Sequence, residues 1–155
     1  MHQISPEGIA FLEEKEGFRN DAYYDVAGVL TIGYGHSAYA PSIEQYPVYE
    51  GQHITEEEGE EILRADLKPT EAAVNSAVTR EITQKQYDAL VSFTFNVGVG
   101  AFKASKVLSY TNEGNYQAAG DAFLDYSYAG GEFIPGLRKR REEERAMYLS
   151  SLPQE

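Results

Sequence analysis

A mostly helical α+β fold, in which a small β-hairpin lobe is joined by a long helix to a helical bundle, is what this sequence predicts. Three observations carry that prediction. Residues 22–35 concentrate strand formers around a single turn signal. Two capping boxes, Thr55-Glu56-Glu57-Glu58 and Thr83-Gln84-Lys85-Gln86, each precede apolar residues at helical spacing. From Gly98 onward, short helical stretches alternate with glycine and proline breaks.

The elements follow in order. Ser5-Pro6-Glu7 starts a helix: Ser5 can cap, Pro6 suits the first helical position, and Glu7 suits the positive dipole end. Ile9 and Leu12 begin its apolar face, and Gly17 is the expected stop, which leaves Glu16 on the last turn. Tyr23, Tyr24, Val29, Leu30, Thr31, Ile32 and Tyr34 then read as two strands around the turn Asp25-Val26-Ala27-Gly28. His36 to His53 lacks a period and reads as loop with room for one more short strand.

The helix after Thr55 carries Ile62, Leu63, Leu67, Val74 and Val78 at roughly helical spacing, and Pro69 must either kink it or start it afresh. The helix after Thr83 runs through Leu90, Val91 and Phe95, with Gly98 and Gly100 expected to end it. Further helices fit 105–110, 116–126 and 137–149, separated by Gly114, Gly130-Gly131 and Pro135-Gly136. There is no repeat and no low-complexity linker. One domain over 1–155 is expected, with a β lobe of about 18–54 and a helical lobe made of the rest, the N-terminal helix included.

Composition bounds the function. At 155 residues and 42% hydrophobic, the chain can bury a core. It has no Cys, which excludes disulfides, thiolate metal sites and a thiol nucleophile. The net charge of −12 argues against nucleic acid as a partner. The acid is concentrated: 44–66 holds Glu44, Glu50, Glu56, Glu57, Glu58, Glu60, Glu61 and Asp66 against Arg64 alone. Arg138, Lys139, Arg140, Arg141 and Arg145 mark a more basic C-terminal stretch. No apolar run reaches membrane-spanning length, and MHQISPEGIAFLEEKEGF carries no signal-peptide pattern. Synthesis and folding in the cytoplasm are therefore expected, with no cofactor. No metal site is expected either, since His2, His36 and His53 lack ligand spacing.

Glycoside cleavage needs one carboxyl to protonate the leaving oxygen and a carboxylate on the other side of the sugar. Glu16, ending a helix, and Asp25, at the tip of the first strand, could stand on opposite walls of a cleft. Thr31 on the returning strand could present a hydroxyl to a water in the same space. Taken singly each has a plainer role: a solvated charge, a turn aspartate, a β-forming threonine. Gly33-Tyr34-Gly35 lacks the third glycine of a nucleotide loop, and no Gly-x-Ser-x-Gly elbow is present.

Read together, Glu16-Gly17-Phe18-Arg19, Ala22-Tyr23-Tyr24-Asp25, Gly28 and Thr31-Ile32-Gly33-Tyr34-Gly35-His36 resemble the signature of phage-type lysozymes, the endolysins of glycoside hydrolase family 24. The similarity continues through Leu63-Arg64-Ala65-Asp66-Leu67, the run from Gln86 to Gly98, and Pro135-Gly136-Leu137-Arg138-Lys139-Arg140-Arg141, so it covers nearly the whole chain. The resemblance implies a lysozyme-like fold and hydrolysis of the β-1,4 bond between N-acetylmuramic acid and N-acetylglucosamine, with inversion.

It further implies Glu16 as general acid, Asp25 as general base and Thr31 as the residue that positions the attacking water. Phe95 and Asn96 would touch sugar, although Phe95 reads equally well as core. His36 would tie the hairpin to the following helix, and Arg140 or Arg141 would pair with Glu16. The implied partner is the peptidoglycan glycan strand. The implied state is a monomer that reaches the periplasmic wall through a holin or another delivery route and so lyses the cell. A wall-degrading domain of a phage tail or secretion device, or an inactive wall-binding relative, would share the core pattern. The chain departs from the family in its acidity, in a long Ser37–Gln52 segment with Tyr39, Tyr46 and Tyr49, and in Tyr126 and Tyr128 where a Trp is usual.

Overall fold

In a computed structural model, which describes residues 2–153, the element order is that of a helical α+β protein. Helix α1 (Pro6–Glu16) leads into strands β1 (Arg19–Tyr24), β2 (Leu30–Gly33) and β3 (His36–Ser37), then the long helix α2 (Glu56–Ala77). Helices α3 (Gln84–Val97), α4 (Val99–Lys103), α5 (Lys106–Glu113) and α6 (Tyr116–Phe123) follow. A 3₁₀ turn (Leu124–Tyr126), a two-stranded ribbon of β4 (Tyr128–Ala129) and β5 (Glu132–Phe133), and helix α7 (Pro135–Leu149) complete the chain. It divides into two compact units. Residues 9–69 form one, and the first eight residues with those from 70 on form the other.

In the 9–69 unit, β1, β2 and β3 form an antiparallel sheet in that order. The pleat of β2 sends neighbouring side chains to opposite faces. Ile32 packs with Ile54 and Ile62, and with Phe18, Ala22, Tyr46 and Val48 around them, while Thr31 faces away from that cluster. Helix α2 comes close to the sheet because position 59 is glycine: a Cβ there would lie 2.5 Å from a Phe18 ring carbon. The capping box that begins α2 is formed as read, with Glu58 N–H donating to Thr55 Oγ1 (3.1 Å) and Thr55 N–H to Glu58 Oε1 (3.0 Å).

Within the other unit, Ser5 accepts from Gly8 N–H (3.0 Å), and Ser5 N–H donates to Asp88 (3.0 Å), which docks the chain start on α3. The bundle core is aromatic. Phe93 packs tilted against Phe123 (5.1 Å) and edge-to-face with Tyr126 (4.9 Å), and Phe123 packs tilted against Tyr148 (5.3 Å), whose hydroxyl meets Thr111 at 2.7 Å.

Some expectations are corrected. Helix α2 runs unbroken from 56 to 77, so Pro69 does not start a new helix. Burial of Leu67 on one side and of Thr70 and Val74 on the other outweighs the one hydrogen bond that proline deletes. Gly98 caps α3 as expected, but Gly100 lies inside α4. The helix placed at 116–126 ends at Phe123 and tightens into the 3₁₀ turn. Gly130-Gly131 is not a plain separator between helices, since it forms the tip of the β4–β5 ribbon. Helix α7 starts at Pro135, two residues before the expected Leu137.

Candidate active site

The three candidate catalytic residues all lie in the 9–69 unit. Glu16 is the last residue of α1, partly buried, and Gly17 turns the chain away at φ +71°. Its carboxylate lies against the backbone of Gly35: a Cβ built there would be 3.8 Å from Glu16 Oε1. Gly35 has φ +80°, a conformation that a side chain would strain, so glycine makes this turn beside Glu16.

Asp25 performs the turn chemistry its position suggests. Its Oδ1 accepts from the N–H groups of Ala27 and Val29, both at 2.9 Å, and its carbonyl accepts from Gly28 N–H (2.9 Å). The two side-chain bonds fall on one oxygen, which leaves Oδ2 for other work. Thr31 is 4% exposed and donates its hydroxyl proton to the Val29 carbonyl at 2.9 Å. Asp25 and Thr31 are thus joined through Val29, the carboxylate on its N–H and the hydroxyl on its C=O. With its proton committed, Thr31 Oγ1 keeps lone pairs that can accept from a water.

One turn before Glu16, Glu13 faces Tyr34, Glu56, Glu57 and Glu60 around a pocket of about 300 Å³. Burial, with Glu60 nearby, holds the Glu13 carboxyl above the usual carboxylate range despite the Tyr34 hydroxyl. Burial and Glu13 in turn push Tyr34 up to about 12. His36 on β3 is the link to α2 that the sequence suggested. Its Nδ1 meets Asp66 Oδ2 at 2.7 Å and its Nε2 meets the Tyr46 carbonyl at 2.6 Å. Asp66 also takes the N–H and hydroxyl of Ser42 at 3.1 and 2.6 Å.

The candidate substrate-binding residues lie in the other unit. Phe95 is partly buried and Asn96 is exposed near the end of α3. Asn96 Oδ1 accepts from Arg141, and the residue lines a pocket of about 340 Å³ with Tyr126, Tyr128 and Leu137. Arg140 and Arg141 both engage Glu144, at 3.2 and 3.0 Å. Glu144 is fully buried. Burial pushes its carboxyl up, against the opposing pull of the two guanidiniums and the Ser92 hydroxyl.

Sequence reasoning missed Arg19 as more than part of a signature. Its guanidinium lies over the Tyr23 ring, 4.0 Å from the centroid. The signal was there in the pairing of a strand arginine with a tyrosine four residues on. An irregularity in β1 is needed to bring the two together, and no residue type announces it.

A family model described as phage lysozyme matches residues 13–144. The endolysin of Salmonella phage P22 is 45% identical over 97% of this chain and 100% of its own length. A structure of a P22 lysozyme variant superposes with a TM-score of 0.87 at 44% identity, covering 96% of this chain and 99% of that one. The endolysin of Bacillus phage B103 is 42% identical over 95% of this chain, which spans about half, 54%, of that relative. The muramidase domain of SpmX from Asticaccaulis excentricus has a TM-score of 0.84 at 36% identity, covering 96% and 99% of the two chains.

Proposed function

The chain belongs to the phage lysozyme family, and on that premise we propose that it is a muramidase that hydrolyses the glycan strands of peptidoglycan, with Glu16 as general acid, Asp25 as general base and Thr31 holding the attacking water. The observation that carries this reading is the Asp25–Val29–Thr31 arrangement. One residue, Val29, holds the Asp25 carboxylate on its N–H and the Thr31 hydroxyl on its C=O, and activating and aiming a single water requires a base and a hydroxyl fixed on one framework. Glu16 supplies a second carboxyl from a separate element, with glycine backbone beside it rather than a side chain. It protonates the glycosidic oxygen as the bond breaks. Asp25 takes the proton of the water that attacks the anomeric carbon from the opposite face, and the product is inverted. Asn96 and Phe95 contribute sugar contacts. The two compact units act as the lobes of one lysozyme-like domain, and release to the wall occurs through a holin or a delivery device.

The product distinguishes this chemistry from its nearest rival. Purified peptidoglycan digested with the protein should release free reducing sugar, with the α anomer formed first from a β-linked strand. An anhydro-sugar terminus would mean a lytic transglycosylase and would remove the role given to the water.

Charge makes a second prediction. With −12 overall and the acid-rich 44–66 stretch, the protein meets an anionic wall under long-range repulsion. The Debye length falls from about 30 Å at 0.01 M salt to about 8 Å at 0.15 M, so initial lysis rates on permeabilised Gram-negative cells should rise across that range. A steady fall from the lowest salt would show that local cations outweigh net charge.

A further inference from the structure

Arg19 is an arginine without an acidic partner among the described residues, in a chain with 25 acidic residues against 13 Lys and Arg. In the same unit, Lys15 sits 3.5 Å from Glu14, and Arg64 sits 3.3 Å from Glu60. Arg19 instead lies on an aromatic ring, and the strand is built to put it there. Arg19 pairs with Gly33 and Tyr23 with Thr31, so four steps along β1 match two along β2. In a regular strand the two residues would stand about 13 Å apart. The bulge takes up the excess and brings the guanidinium to 4.0 Å from the ring centroid.

The pairing also shows which face the arginine serves. Residues opposite each other in an antiparallel pair share a face. Tyr23 therefore shares the face of Thr31, which is turned from the Ile32 cluster. A guanidinium held over a ring by its charge still has five N–H donors, a planar fork that matches a carboxylate with two parallel bonds. The ring contact also holds the side chain in place, which lowers the entropy lost on binding.

We propose that Arg19, clamped on Tyr23, binds a carboxylate of the substrate beside the bond to be cut, and so selects acidic wall glycan over neutral polymers. The inference rests on the peptidoglycan reading above. Muramic acid offers a carboxylate in two chemical settings, its own lactyl group when the stem peptide is absent and the peptide's carboxylates when it is present. N-acetylglucosamine offers none.

The test uses the whole protein and three soluble glycan preparations. One is intact strands, the second is strands stripped of stem peptide so that the lactyl carboxylate is free, and the third is intact strands with carboxylates converted to amides. Loss of a charge-assisted bidentate contact should raise KM for Arg19→Gln by about 10-fold or more on carboxylate-bearing substrate, with kcat within about twofold. Arg19→Lys, which keeps charge but not the fork, should fall between, and serves if the Gln variant misfolds.

The penalty should vanish on the amidated strands. Its presence on intact strands alone assigns the peptide carboxylate, and its presence on stripped strands assigns the lactyl group. An equal penalty on all three, or a fall in kcat with a displaced pH profile in place of a KM effect, overturns the inference by placing Arg19 with the protein's own carboxylates. Failure of the unaltered protein to release reducing sugar from any preparation would instead remove the underlying activity.

Discussion

Glu16→Gln should leave a folded protein whose rate of wall lysis is lower by about 10²–10⁴-fold, the contribution that general acid–base catalysis makes. Glutamine keeps the length and the hydrogen-bonding reach of the side chain but has no proton to give at the required moment. Glu16 is only partly buried at the end of its helix, so the change strands no deeply buried charge. Circular dichroism and the melting temperature should therefore stay close to those of the unaltered protein. Asp25→Asn makes the matching test on the other side of the sugar. The asparagine carbonyl can still accept from Ala27 and Val29 N–H, so the turn survives, while the water loses its base. Near-normal lysis in either folded variant would return that residue to the plainer role it has when read alone, a solvated charge for Glu16 and a turn residue for Asp25.

What was legible in the sequence follows from how local each signal is. The capping boxes at Thr55 and Thr83, the helix stop at Gly17 and the Asp25–Gly28 turn each involve residues within a few positions, and each is formed where expected. The sequence left open whether α2 continues past Pro69 or starts afresh there, because the burial that holds it together comes from tertiary packing. The β4–β5 ribbon escaped because two residues per strand are too few to show alternation. Glu16, Asp25 and Thr31 stood out only as a spaced set. Their surroundings depend on backbone detail: the N–H and C=O of Val29 that hold Asp25 and Thr31, the approach of Gly35 to Glu16, and the bulge that folds Arg19 onto Tyr23. No residue type encodes these singly.

Asp66→Asn should destabilise the protein by roughly 3–5 kcal/mol near pH 6, the cost of breaking a buried ion pair from one side. At this chain length that lowers the melting temperature on the order of 10 °C. His36 and Asp66 are 2% and 4% exposed. His36 has an oxygen acceptor on each ring nitrogen, the Asp66 carboxylate at 2.7 Å and the Tyr46 carbonyl at 2.6 Å. Satisfying both requires two N–H groups, which only the imidazolium has. Burial works against that charge, but the hydrogen bond to Asp66, the bond to the Tyr46 carbonyl and the Asp66 charge together hold His36 above its ordinary value of 6.5. A folded-state pKa raised above the unfolded one stabilises fully at pH values below the unfolded pKa, and the gain is lost as pH rises through the folded pKa. The gap in stability between the unaltered protein and Asp66→Asn should therefore be widest at about pH 6, near the unfolded value, and narrow as pH climbs beyond the raised one. It should not close fully, because Asp66 also holds the Ser42 N–H and hydroxyl, which do not titrate there. Urea unfolding of both proteins at intervals from pH 6 to 9 reads this directly. A gap that stays constant over that range would show that His36 is neutral in the folded protein, and that Asp66 acts on Ser42 alone.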